Sequence, residues 1–254
     1  MKKYICVILI SIAFLFPLYT NALTKTQSVF DEAGVLLWST NVEKQARGEL
    51  LMAAMTGTSL KARFVLGWWY LKIKSATVDS RKKGVSLIYS AYLEGDRDAG
   101  YFMAVIYKKD VDIYGLKNEK KATDLLRSIL INDSSHPADR EETLGKWLLE
   151  ESIEKNKEEA ESWLIKSIEH GNIAASSTLA PLFTQGEDKD LVKAWFYSDL
   201  SGTSMVKEKR ELEQQMTPEQ VEQAQNMSWD WQDAHHIHVP GYRGHGSPIR
   251  WQVE

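Results

Sequence analysis

Four stretches of the chain begin on a small residue and close eleven positions later on Gly or Asp, and their starts are spaced 38 residues apart. They are 46–57 (ARGELLMAAMTG), 84–95 (GVSLIYSAYLEG), 122–133 (ATDLLRSILIND) and 160–171 (AESWLIKSIEHG). A fifth, 191–202 (LVKAWFYSDLSG), begins 31 residues after the fourth. Recurrence at an even period is the mark of stacked supersecondary units, each too small to bury its apolar face alone. Within each stretch, positions +4 and +7 pair as Leu50/Ala53, Ile88/Ala91, Leu126/Ile129, Leu164/Ser167 and Trp195/Ser198. That spacing is one face of an α-helix, and a closing Gly suits the left-handed position that ends it. Asp133, in place of Gly, is a residue type that tolerates that conformation.

A second helix lies between these. Leu66-Gly67-x2-Tyr70, Met103-Ala104-x2-Tyr107, Leu144-Gly145-x2-Leu148 and Leu179-Ala180-x2-Phe183 share one spacing: large, small, then large three later. The small residue lets a paired helix approach closely, and the large one fills the gap between neighbouring pairs. The expected fold is all-α, an α-solenoid of about four to five helix–turn–helix repeats with a C-terminal capping helix and an irregular tail. Pro181, directly after Ala180, predicts a kink or a helix start in the fourth repeat. Thr217-Pro218-x-Gln220 is a capping-box start for the last helix. Trp229 and Trp231 on that helix are expected to fill the core and not to form a ligand platform.

The N-terminus has the pattern of an export leader. Lys2 and Lys3 precede an uncharged run from Tyr4 to Phe16, Pro17 ends it, and Ala22 is the small residue expected before cleavage. The chain therefore divides into a leader at 1–22, a repeat array at 23–202, capping helices at 203–234 and a His- and Gly-containing tail at 235–254. Cleavage would remove Lys2, Lys3 and the single cysteine, Cys6, and make the formal charge of −4 two units more negative. A thiol-free, net-acidic chain excludes a disulfide scaffold, a cysteine-rich zinc site and a cysteine nucleophile, and it is a poor nucleic-acid binder. A periplasmic protein with no membrane span after cleavage is expected.

No catalytic arrangement stands out. The sequence contains no G-x-S-x-G, H-E-x-x-H or P-loop, and its carboxylate pairs, such as Glu141-Glu142, lie in charged helix faces. His235, His236, His238 and His245 fall within eleven residues, yet the Gly and Pro among them point to an irregular tail and not to a fold that would orient ligands. No enzyme activity, metal or cofactor is expected.

The chain resembles the Sel-one-like repeat (SLR) family, relatives of the tetratricopeptide repeats, over roughly residues 45 to 232. The resemblance rests on Ala62-x3-Leu66-Gly67-x2-Tyr70, on Ala99-x3-Met103-Ala104-x2-Tyr107, and on the starts Lys83-Gly84 and Lys121-Ala122. The loop Tyr114-Gly115-Leu116-Lys117-Asn118, the terminal Lys193-Ala194-Trp195-Phe196 with Leu200-Ser201-Gly202, and the stretch from Arg210 to Gln220 add to it. Repeat three departs, lacking the Tyr and the glycine loop. By analogy with tetratricopeptide proteins, the first helix of each pair lines a groove. That assigns Phe64, Trp68 and Leu71 to it from repeat one, and Tyr101, Val105 and Lys108 from repeat two. Glu142, Lys146 and Leu149 follow from repeat three, and Ser177, Pro181 and Thr184 from repeat four. Phe64 and Trp68 either anchor a protein partner there or pack against the next repeat; Trp69 is expected between helices.

The resemblance implies a non-enzymatic protein-binding module. Exported members of the family include immunity proteins against type VI secretion effectors, and that role is the favoured expectation. The alternatives are a regulator or inhibitor of a cell-wall enzyme or sensor kinase, and a peptidoglycan-active enzyme. The last resembles cysteine-rich relatives whose disulfide pairs this chain lacks.

Overall fold

The computed structural model describes residues 25–109, 115–135, 137–186, 189–237 and 239; the leader and the tail beyond 239, with His238 and His245, lie outside them. The helices are α1 (25–37), α2 (Val42–Met55), α3 (Leu60–Lys72), α4 (Val78–Leu93), α5 (Arg97–Lys109) and α6 (Glu119–Ile131). They continue with α7 (Ala138–Glu151), α8 (Ile153–Glu169), α9 (Ser176–Leu179), α10 (Leu191–Leu200), α11 (Val206–Glu213) and α12 (Pro218–Ala234). No strand occurs among the described residues, so the all-α class expected from the periodicity is what forms. The chain divides into two compact units within α6, after Leu125.

Helix starts are written locally. Asn41, Ser59, Thr77, Asp96, Asn118, Ser152 and Asp190 each accept a hydrogen bond from the backbone N–H three residues on. Thr217 and Gln220 complete the reciprocal capping box of α12. Such caps satisfy N–H groups that have no partner inside the helix, at about 1 kcal/mol each.

Pairing is decided by the small residues. In the first unit α3 and α4 cross so closely that a Cβ on Gly67 would lie 2.7 Å from the Gly84 carbonyl oxygen, and one on Gly84 2.6 Å from that of Gly67. A Cβ on Gly48 of α2 would lie 2.6 Å from the Leu37 backbone nitrogen at the end of α1. In the second unit a Cβ on Gly145 of α7 would meet the Leu164 side chain of α8 at 2.7 Å. Around these crossings Leu66, Ile88, Met103, Leu126, Leu144, Leu164 and Leu179 are fully buried.

The first repeat corrects the even register. The residue of α2 that meets its partner helix is Gly48, not Ala46, and the buried residue four later is Met52. Ala46 and Ala53 are exposed, and Leu50 is 73% exposed. The contact spacing from α2 to α4 is therefore 36, because Gly48 alone on α2 offers the backbone approach that Gly84 offers on α4. Two helix ends also differ from expectation. Gly95, Gly171 and Gly202 take positive φ, but Gly57 and Asp133 do not. After Met55 the chain turns at once into α3, with the Thr58 and Ser59 N–H groups donating to the Met55 carbonyl. Asp133 is buried and accepts from the Ser135 N–H and hydroxyl, so its carboxylate shapes the turn in place of a left-handed backbone.

The large residue of each first helix acquires a repeated partner. Lys83, Lys121 and Lys193, each directly before the small residue of the second helix, lie over the rings of Tyr70, Tyr107 and Phe183 at 4.8, 4.2 and 5.2 Å. Burial pushes the Tyr70 phenol up, aided by its hydrogen bond to Glu49, and the Tyr70 hydroxyl in turn raises Lys83. Repeat three has lost both members: Leu148 stands for the aromatic, and Glu159 for the lysine, pairing instead with Arg127 at 2.6 Å.

Pro181 divides the first helix of the fourth repeat into α9 and the 3-10 turn Ala180–Phe183. Closure of the second unit is polar as well as apolar. Lys209 of α11, 3% exposed, meets Asp199 of α10 at 2.6 Å and lies 4.9 Å from the Trp195 ring. Asp199 accepts from Ser228 of α12, Gln232 donates to Ser228, and the Val239 N–H donates to Gln232. Trp231 packs against the same core cluster and stacks on His235 at 4.0 Å. No helix among the described residues is long and apolar enough to cross a membrane.

Two sets of substitutions test these assignments by urea unfolding. Gly67→Ala is expected to cost about 1–3 kcal/mol, because the clash is with backbone that cannot rotate away. Gly34→Ala, where the new methyl group meets nothing within 4 Å, is expected to stabilise α1 by about 0.5–1 kcal/mol. Lys209→Met strands the Asp199 carboxylate in the interior and is expected to cost about 3–5 kcal/mol. Lys207→Met, at the exposed Lys207–Glu211 pair, should change stability by less than about 0.5 kcal/mol.

Candidate protein-binding face

The residues assigned to a groove fall in both units. Phe64, Trp68, Leu71, Tyr101, Val105 and Lys108 are in the first, Glu142 and Lys146 in the second.

In the first unit the aromatics converge. Phe64 and Trp68 are one helical turn apart on α3. Neighbouring positions are already committed: Gly67 to α4, and Trp69 to α1, where its indole N–H donates to the Leu37 carbonyl at 2.8 Å. Phe64 and Trp68 are left to face α5. There Phe102 meets Phe64 edge-on at 5.1 Å between ring centroids and Trp68 at 5.9 Å. Trp38, at the end of α1 and 49% exposed, packs against Trp68 at 5.2 Å, and Tyr101 meets Phe102 at 6.3 Å. Phe64, Trp68, Tyr101 and Phe102 are all half-buried. They form a continuous seam across the first helices of three successive pairs.

Two members of the seam, Trp38 and Phe102, were not assigned from the sequence. Phe102 lies 38 residues after Phe64, so the repeat period itself marks it. The groove positions were instead counted from Ala104, which follows Gly67 by 37, and that moved the assignment to Tyr101. Trp38 precedes the first repeat recognised in the sequence and carried no comparable signal.

The remaining positions have other partners. The Leu71 side chain turns to α4, its Cδ2 lying 3.3 Å from where a Gly84 Cβ would be. Val105 is half-buried. The Lys108 ammonium reaches Glu119 at the start of α6 at 3.4 Å and holds that carboxyl below the usual carboxylate range. In the second unit Lys146 pairs with Glu142 one turn away at 2.5 Å, and Glu142 accepts from Asn172 at 2.8 Å. Beside them Glu141, buried, meets His170 at 2.7 Å. Together these bonds fasten the α8–α9 turn to α7. Leu149 packs against the core of the second unit, Pro181 is exposed, and Ser177 and Thr184 bond to carbonyls within their own turns.

Trp68 carries the seam's one electrostatic peculiarity: its indole nitrogen is buried without a hydrogen-bond partner. A buried donor left unsatisfied costs about 1–3 kcal/mol, a cost that the fold bears at Trp68. Among the described residues no group of three or more His, Cys, Asp or Glu is arranged to hold a metal ion; His238 and His245 lie outside them.

No protein-family model matches the chain, and no curated protein matches it. Among solved structures it is similar to a Sel1 repeat protein from Oxalobacter formigenes, with a TM-score of 0.57 and 15% identity. The match covers 83% of this chain and 90% of that one. The fold is a Sel1-type helical repeat. At that identity the likeness concerns the fold, and it agrees with the repeat architecture deduced from the 38-residue period.

The two neighbouring tryptophans separate seam from core. Trp69→Phe breaks a buried hydrogen bond and strands the Leu37 carbonyl, so it should cost about 1–3 kcal/mol beyond the lost volume. Trp68→Phe removes an unsatisfied donor together with some ring area, and a smaller loss than that of Trp69→Phe is expected in the same denaturation assay.

Proposed function

We propose that this chain is a non-enzymatic, periplasmic protein-binding repeat module that docks its partner on the aromatic seam of α1, α3 and α5. The observation that carries this is the cluster of half-buried Phe64, Trp68, Tyr101 and Phe102 with the exposed Trp38. Large aromatic side chains grouped on a rigid helical surface are the usual anchors of a protein interface. They expose apolar area at an entropic cost already met by the fold, because their neighbours fix their rotamers. The export-type leader supports the compartment, and the absence of any catalytic motif in the sequence supports a binding role.

Within that role we favour immunity: neutralisation of an antibacterial effector delivered by type VI secretion. A chain with this task requires one tight interface and no chemistry of its own. A producing strain that lacks the gene should be killed by its siblings, and killing should stop when the gene is restored in trans. Survival of the deletion strain would remove the immunity reading in favour of a regulator of a cell-wall enzyme or sensor kinase. For the interface itself, Trp38→Ala and Phe102→Ala are expected to weaken partner affinity by about tenfold or more each. Unchanged affinity, measured by calorimetry on the purified pair, would place the interface elsewhere.

A further inference from the structure

The two helices that carry most of the seam are basic in a chain whose formal charge is −4, while α1 sets Lys25 against Asp31 and Glu32, the latter paired with Arg47. On α3 the charged residues are Lys61, Arg63 and Lys72, with no acid. On α5 they are Arg97, Lys108 and Lys109, against the single acid Asp98. The first helix of repeat three, α7, is the opposite: Asp139, Glu141, Glu142, Glu150 and Glu151 outnumber Arg140 and Lys146. Helical spacing puts several of the cations beside the aromatics. Lys61 is three residues before Phe64, Lys72 four after Trp68, Arg97 four before Tyr101 and Lys109 seven after Phe102. Arg63 and Lys108 are matched by acids of neighbouring helices, Glu94 and Glu119, and Arg97 is engaged as well. Lys61, which also lies 5.6 Å from the Phe30 ring, Lys72, Arg97 and Lys109 are exposed.

We infer that the occupant of the seam is an acidic polypeptide segment carrying a large apolar anchor. The inference deepens the binding role above and rests on the seam being the docking site. The anchor packs on the exposed edges of Trp38, Trp68 and Phe102. Carboxylates flanking the anchor meet Lys61 and Lys72 at one helix and Lys109 at the other. Complementary charge around an apolar centre fixes register and accelerates encounter, and it excludes basic segments by repulsion. The net-acidic remainder of the chain gives no comparable attraction for such a segment.

The test uses the chain from residue 23 onward, immobilised and presented with a phage-displayed library of random dodecapeptides. Peptides retained by the wild type should be net acidic and contain Trp, Phe or Leu. Their affinity should fall by about tenfold or more with Lys61→Glu/Lys72→Glu/Lys109→Glu, and on raising salt from about 0.05 to 0.5 M. It should fall likewise with Trp38→Ala or Phe102→Ala. All the charge reversals are at exposed positions, so circular dichroism should show an unchanged fold. Retained peptides that are neutral or basic, or indifferent to charge reversal, yet are lost with Trp38→Ala and Phe102→Ala, overturn this inference and leave the docking site standing. Peptides indifferent to the aromatic substitutions overturn both. Failure to retain any peptide overturns the inference as well, since a site with exposed anchors and cations should select a short complementary segment.

Discussion

Backbone contact between paired helices is the constraint on which the rest of this fold depends. At Gly67 and Gly84 two helices meet with each α-carbon against the other's carbonyl, and a single added methyl group has no place to go. Such an approach lowers the distance between helix axes and so fixes which side chains can reach across. It brings Tyr70 under Lys83 and carries Trp69 to the Leu37 carbonyl. It also determines what is left over. With Gly67 and Trp69 committed to neighbouring helices, Phe64 is left to meet α5, and Trp68 lies between α5 and Trp38. The aromatic seam is thus a consequence of how tightly the pair behind it is packed.

Much of this was legible in the sequence because period and helix spacing are one-dimensional quantities. The pairs α3/α4 and α7/α8, the split at Pro181 and the capping box at Thr217 all follow from residue type and spacing. The first repeat was misplaced because α2 carries two apolar stripes. Ala46, Leu50 and Ala53 fit the even spacing, while Gly48 and Met52 make the contact. A pattern of small and large residues cannot distinguish them until a partner backbone must approach to within contact distance, and only glycine permits that. Phe102 was missed for a related reason: positions were counted from the small residue, whereas the side chains that touch obey the 38-residue period itself. The bonds of Asp133 and of Glu142 could not be foreseen, since they depend on which turn folds over which helix end.

The seam differs from the core in how its polar atoms are treated. Trp69, Trp195 and Trp163 donate their indole N–H to Leu37, Glu213 and Glu159, as buried tryptophans generally do. Trp68 does not. A helical pair under no demand other than stability would be expected to lose such an uncompensated donor, because phenylalanine fills similar space without it. The half-buried rings around Trp68 have the same implication. Burying the part still exposed would stabilise each by roughly 1 kcal/mol, yet the positions are filled by large aromatics and left partly in water.

The cation–aromatic pairs show where the repeats are interchangeable and where they are not. Tyr70/Lys83, Tyr107/Lys121 and Phe183/Lys193 keep both members, and Leu148/Glu159 keeps neither. A lysine beside a leucine would bury its stem without gaining the ring's attraction, and an aromatic beside a glutamate would be repelled at its face. The two positions therefore behave as one unit, retained or exchanged together. Once exchanged, Glu159 binds Arg127, so the ion bridge runs from α8 to α6 and not across the α7/α8 pair. The charge of the first helices changes as well, α7 being acidic where α3 and α5 are basic. A repeat array that varies its fastening in this way can hold one set of helices for packing and leave another, the aromatic and basic one, to meet a partner.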